Sequence, residues 1–343
     1  MTDLGWAAGA VVGSTVVIAV LSLLVVARKV GRDRREIQWL TRRERFGGAL
    51  AGSAVAKSDP LIEATGNAGA QWALVAVLTS HELNPEQLRD ESGYPRLKAS
   101  LAQQVHDRKP VRRGAAILLL GLLKDPDCVY HAAAALRDRD PDVRLVAARA
   151  LSLTGTDEAA EALLAGLRTN ALPEERIIER LGQPWALNCL VAALGSADTG
   201  PAGQHFHAGV ARALALIGDQ VAEPALMDLL ARGNAEERIN AARALGRCGT
   251  HRSLAVIRAA LSDPDDNVRG QAAAALGDLG DVAAVLLLEE TMQDPGWWVR
   301  SNAAAALAKL GDDGVAALER VRTRADKFAA QRAGEQLLLM GRG

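Results

Sequence analysis

Six histidines and three cysteines are the side chains best suited to chemistry in this 343-residue chain. His81, His106, His131, His205, His207 and His251 are scattered, whereas a catalytic site needs converging groups. His205 and His207 are spaced to share a small metal, but no cysteine or carboxylate cluster lies near them in sequence. Cys128, Cys189 and Cys248 are separated by 61 and 59 residues, without the paired spacing of a ligand set. They are expected to be small buried residues in helices. No phosphate-binding glycine loop, G-x-S-x-G elbow or H-E-x-x-H occurs. The expectation is therefore no catalytic residue, no metal and no cofactor.

Recognition is better represented. Trp297 and Trp298 fall in a turn where sister segments carry Asp, Asn or Glu. Two readings stand side by side: an exposed partner hot spot, or a ring packed on the neighbouring helices to close a gap. Trp297, Trp298, His205 and His207 are the candidate partner-binding residues.

Composition says what must position them. Hydrophobic residues make up 49% of the chain but aromatics only 3%, so Ala, Leu and Val fill the apolar quota. Ala and Leu favour helices, and a β-sandwich or barrel would want aromatic and β-branched residues. Three cysteines are no disulfide framework, and the hydrophobicity excludes a disordered chain.

The net charge of −1 conceals a split. Residues 4–27 carry no charge, enough for a membrane-spanning helix of about 20 residues. Eight basic and three acidic side chains follow in residues 28–45, a net +5. By the positive-inside rule the N-terminus faces out and the remainder is cytoplasmic at the inner membrane. A cleaved signal peptide would carry its positive charge ahead of the apolar run. Gly5, Gly9 and Gly13 recur every four residues, which suits close packing of two such helices into a homodimer; glycine is also simply common in membrane helices. Arg28, Lys29, Arg32, Arg34 and Arg35 are candidates to meet anionic lipid, with Ile37, Trp39 and Leu40 as an interfacial face. A solvated linker is the alternative.

One phrase then recurs: DPDVRLVAARALSLTG at 140–155, DPDDNVRGQAAAALGDLG at 263–280 and DPGWWVRSNAAAALAKLG at 294–311. Taking the Arg after the turn as anchor gives Arg112, Arg144, Arg176, His207, Arg238, Arg269, Arg300 and Gln331, spaced 31 or 32 apart. Asp caps the helix and Pro suits its first turn. Apolar residues follow at helical spacing. A Gly at anchor plus eleven (Gly155, Gly218, Gly249, Gly280, Gly311) suits a left-handed helix end. A second amphipathic helix follows, as at 157–167, 253–262 and 282–292. The anchor arginines are expected to bond turn acids or carbonyls of adjoining units in a structural ladder.

This pattern resembles HEAT-type repeats, in particular the short bacterial class similar to the phycobilisome-lyase HEAT-like family, over roughly residues 108–343. The resemblance implies an all-α, right-handed α-solenoid of about seven to eight helix pairs, here preceded by one transmembrane helix. The expected organisation is an anchor at 1–28, a basic juxtamembrane helix or linker at 29–59, a degenerate N-terminal cap at 60–107 and the solenoid at 108–343. Within 79–106 a loop is expected around Gly93-Tyr94-Pro95, and the tail 335–341 would be a last incomplete unit. Similar proteins that bind di-iron use several His-Glu pairs; this chain has one, His81-Glu82. Those that grip DNA need a basic face, and residues 46–343 carry 32 basic and 37 acidic side chains. The third unit departs from the pattern: its first helix should stop at Gly182, with the lost length in a loop at 195–203.

The function expected is a membrane-tethered cytoplasmic scaffold or adaptor, not an enzyme. It would recruit or position another protein, such as a membrane enzyme. Nucleic acid is not expected as a partner. The alternative is an enzyme or lyase-type subunit using the solenoid as a substrate cradle.

Overall fold

A computed structural model describes residues 84–196 and 201–341, and singly 64, 65, 71, 74, 75 and 78. The apolar run, Gly5, Gly9, Gly13 and the basic cluster Arg28, Lys29, Arg32, Arg34 and Arg35 lie outside them. No helix of the described residues is long and apolar enough to cross a membrane. The chain divides into two compact units, residues 1–125 and 126–343.

In the first unit α1 (Pro85–Arg89), α2 (Tyr94–Gln104) and α3 (Pro110–Leu122) are short helices with proline at their starts. The loop expected around Tyr94-Pro95 is instead the first turn of α2, since proline tolerates a helix start where its missing N–H is not needed. Tyr94 is buried and its hydroxyl donates to the Asp125 carboxylate. Lys98 Nζ lies 3.2 Å from the same group. Buried Gln71 donates to Ala64 O and Gln104 Oε1, both at 3.0 Å.

The second unit alternates two kinds of helix. Second helices are α4 (Cys128–Ala135), α6 (Asp157–Arg168), α8 (Leu187–Leu194), α10 (Glu223–Arg232), α12 (Leu254–Ala259), α14 (Val285–Thr291) and α16 (Gly311–Arg322). First helices are α5 (Pro141–Thr154), α7 (Glu174–Leu181), α9 (Pro201–Ile217), α11 (Ala235–Cys248), α13 (Asp266–Asp278), α15 (Trp297–Lys309) and α17 (Lys327–Leu339). The described residues are thus helical throughout, without strands, and the second unit is a solenoid. Short 3-10 turns lead into α8, α10 and α14.

The motif explains the first helices. Asp140, Asp265 and Asp326 accept the free amides of α5, α13 and α17, and Asn234 with Glu237 forms a capping box on α11. Three and four residues past the anchor sit Ala241 and Ala242, Ala272 and Ala273, and Ala303 and Ala304, all fully buried; seven past it sit Leu245, Leu276 and Leu307, equally buried. With alanines at the contact the backbones approach closely. A Cβ on Gly277 would stand 2.6 Å from Ala306 Cα, so α13 and α15 meet where no side chain fits. Close stacking leaves little room for rings, which accounts for the low aromatic content.

Burial and caps correct the register of three anchors. In the first unit it is Arg113, not Arg112, whose Nη1 donates to the carbonyls six and five residues earlier, at 2.9 and 3.1 Å. Arg112 points to Asp107 instead. In α7 the buried Ile177, Ile178 and Leu181 place Glu174 at the anchor position; Arg176 is exposed and pairs with Glu179. In α17, Asp326 caps the helix four residues before Ala330, as Asp140 does before Arg144, so Gln331 is one residue late. The corrected register also aligns the left-handed residues at anchor plus eleven: Lys124, Gly155, Gly218, Gly280, Gly311 and Gly341. Gly249 departs, with φ −68. It is needed for room, since a Cβ there would lie 2.5 Å from Leu245 O and 2.6 Å from Ser253 Oγ.

The ladder itself is present. Arg238 and Arg269 each clasp the aspartate of the following turn with two guanidinium nitrogens, Asp263 at 2.7 and 2.8 Å and Asp294 at 2.7 and 3.0 Å. Arg144 reaches the matching turn through Ala171 O at 2.9 Å. Bidentate, charge-assisted pairs of this kind are the stronger class of hydrogen bond.

The irregular third repeat has a local cause. Helix α7 ends at Leu181, where the Gly182 amide still donates to Ile178 O at 2.8 Å. Gln183 is extended ahead of Pro184, a residue pair that cannot continue a helix. The expected loop at 195–203 is shorter, because α9 already begins at Pro201. That is six residues before His207, whereas α11, α13 and α15 begin three before their anchors.

Candidate interaction surfaces

Trp297 and Trp298 are the first two residues of α15, whose cap, Gly296, has no side chain to offer its amides. The two rings are placed differently. Trp298 lies against α13: a Cβ on Gly270 would stand 2.8 Å from its Cδ1 and 2.9 Å from its Nε1, so glycine makes the bed for the indole. Trp297 is 62% exposed and meets Trp298 edge-on, with ring centroids 5.8 Å apart.

A third ring belongs with them. Phe328 is the second residue of α17, as Trp298 is of α15, and is 71% exposed. Arg300 Nη1 donates to Asp294 O and Pro295 O at 2.7 and 2.9 Å, as ladder arginines do. Its onward partner differs, because Arg324 stands where the ladder aspartate should be. The guanidinium instead lies 5.5 Å from the Phe328 ring centroid. Sequence reasoning missed Phe328, although its place behind Asp326 matches that of Asn267 behind Asp265.

His205 and His207 do not converge. His205 is exposed, with Nδ1 2.8 Å from Glu236 Oε2. His207 is buried, with Nδ1 3.2 Å from Glu237 Oε1, while Glu237 Oε2 accepts from the Asn234 amide at 2.7 Å. His207 Nε2 is buried without a hydrogen-bond partner. The ring therefore stands in the ladder position and ties α9 to the cap of α11, one carboxylate to one imidazole. Among the described residues no three His, Cys, Asp or Glu side chains are grouped to hold a metal.

The cysteines fit a packing role better than a reactive one. Cys128 and Cys248 are buried and Cys189 half-buried. Burial first, then the Asp157 charge, pushes the Cys189 thiol up to about 11. Burial and the Glu223 charge do the same to Cys248, also to about 11. Thiols held that high are poor nucleophiles at neutral pH.

Acids of the ladder shift the other way. Burial works to raise the Asp294 carboxyl, but the Arg269 hydrogen bonds and the Gly296 amide outweigh it and hold it below the usual range. Asp263 is held down against burial in the same way by Arg238 and the Asp265 amide.

No curated protein matches the chain. Solved structures similar to it include YibA of Escherichia coli, with 18% identity over 78% of this chain and 96% of that one, at a TM-score of 0.39. Human deoxyhypusine hydroxylase has 17% identity over 90% of this chain and 99% of that one, at a TM-score of 0.31. The CpcE–CpcF phycocyanin lyase of Nostoc sp. PCC7120 has 20% identity over 84% and 97%, at a TM-score of 0.29. The family model for HEAT repeats matches residues 98–182, 204–268 and 254–338, breaking off where α7 ends and resuming within α9. With more than half of its residues inside those matches, the chain belongs to the HEAT-repeat family.

Proposed function

We propose that this protein is a non-catalytic scaffold, tethered at the inner membrane by its N-terminal apolar segment, that recruits or positions a partner protein on its cytoplasmic solenoid. HEAT-repeat solenoids commonly serve as protein-interaction scaffolds. The carrying observation is the aromatic edge of Trp297 and Phe328, exposed on closely stacked helices in a chain with few rings. In this reading Arg28, Lys29, Arg32, Arg34 and Arg35 meet anionic lipid, and Gly5, Gly9 and Gly13 pair two copies. The tether confines the solenoid to a thin layer, which raises its effective concentration toward membrane partners, membrane enzymes included.

Crosslinking mass spectrometry on native membranes tests this. The expected result is one recurrent protein linked near residues 295–330. Recovering no protein along the solenoid would overturn it. Trp297→Ala and Trp298→Ala separate binding from folding: the first should weaken partner capture with an unchanged melting temperature, the second should lower both.

A further inference from the structure

Between the second helices α4 and α6 runs a groove of about 400 Å³. Its floor is alanine, with Ala133 and Ala162 on its two sides. It closes at Gly166, where a Cβ would stand 3.2 Å from Leu136 Cδ1. Tyr130, in the first turn of α4, is 76% exposed on its rim. Glu158 and Glu161, one turn apart near the start of α6, line the other side, and Arg137 follows the end of α4.

The charges on its lining decide what this groove can hold. Glu158, Glu161 and Arg137 have no ion-pair partner among the described residues. Two other carboxylates beside second helices are engaged, Asp281 by Arg258, and Glu289 by Arg320 and Arg324. Glu158 stays ionised, its carboxyl held low by its own backbone amide and by the Thr156 hydroxyl. Two carboxylates without an ion pair beside an open phenol ring attract a cation twice over, through charge and through the ring face. The alanine floor accepts the methylene stem of that cation or an aliphatic neighbour. Glu158 and Glu161 outnumber Arg137 on the lining, so an acidic peptide, a phosphate or an anionic lipid meets net repulsion.

We propose that this groove receives a basic amphipathic segment of a partner protein, with Lys or Arg against Tyr130, Glu158 and Glu161 and an aliphatic side chain on the alanine floor. The proposal rests on the scaffold reading and adds the chemistry of one contact.

A fluorescein-labelled amphipathic Leu–Lys peptide and its Leu–Glu counterpart are suitable probes, titrated against the full chain in detergent at two salt concentrations. The expected result is salt-sensitive binding of the Leu–Lys peptide, weakened about three- to tenfold by E158Q/E161Q, as exposed charge pairs warrant. A photocrosslinker in place of Tyr130 should label that peptide. Equal binding by the double variant, equal binding of the Leu–Glu peptide, or no crosslink from position 130 would each overturn it. The probe comparison on the unaltered chain does not depend on how the variant folds. If these fail while membrane crosslinks near residues 295–330 persist, only the groove is refuted; if both fail, the scaffold reading falls too.

Discussion

The C-terminal repeats and the centre of the solenoid are built from the same unit and held together differently. From α11 to α15, permanent charges clasp each turn to the next, and glycine and alanine let the helix backbones touch. At the centre, α7 has 8 residues where α11 has 14, Glu174 and His207 hold the anchor positions, and the links to the following repeats are a Glu174–Arg212 ion pair at 3.0 Å and one imidazole on the Glu237 carboxylate. The difference teaches that the HEAT unit tolerates loss of its arginine ladder so long as the buried row of residues at anchor plus three, four and seven survives. Ile177, Ile178 and Leu181 keep that row in α7.

The sharpest way to break this comparison is at the glycines. Gly277→Ala drives a methyl into the Ala306 backbone and should cost roughly 3 kcal/mol. Gly209→Ala at the centre meets only the flexible ends of Glu174 and Leu167, at 3.0 and 3.2 Å, and should cost less than about 1 kcal/mol. Equal losses in urea melts would mean that the two regions are packed alike.

Next in size is the ladder. Asp294→Ala leaves the Arg269 guanidinium shielded without its carboxylate and should cost about 2 kcal/mol. The sign with pH follows from the depressed carboxyls of Asp263 and Asp294. Their pairs contribute fully above the ordinary carboxylate range near about 4, and the contribution fades as pH falls through the lower folded values. Melts repeated from pH 6 down to pH 3 should show a slope that D263N/D294N flattens.

The smallest effect sharpens the contrast. His207→Ala removes one hydrogen bond to a glutamate that keeps its capping role, and should cost about 1 kcal/mol. A loss as large as that from Asp294→Ala would show that the histidine is as strong a rung as the arginine.

Much of this was legible in the chain. Helix alternation, the capped starts and the early stop at Gly182 all follow from residues with strong backbone preferences. The phase of single repeats was less so. Arg112 and Arg113 are adjacent, and only the helix's own rotation decides which one faces the turn carbonyls. Gln331 imitates an anchor one residue late, because Ala330 has no polar signal. The Pro201 start of α9 hides inside a glycine-rich stretch that resembles a loop. For the site residues, spacing identified the two Trp but could not divide their roles, since Gly270, the bed of Trp298, lies in another repeat. Phe328 escaped notice because Lys327 occupies the place that matches Trp297. The carboxylate pair beside Tyr130 is brought together only by the stacking of α4 and α6.

The short α7 has a mechanical consequence. A linear array pulled from its two ends carries the same tension through every interface, and it parts at the one with the least contact to lose. In the second unit the first helix with the least contact to its neighbours is α7, and the C-terminal repeats beyond it would come away as one clasped block. A chain held at one end would thus yield near its middle before the aromatic edge is disturbed.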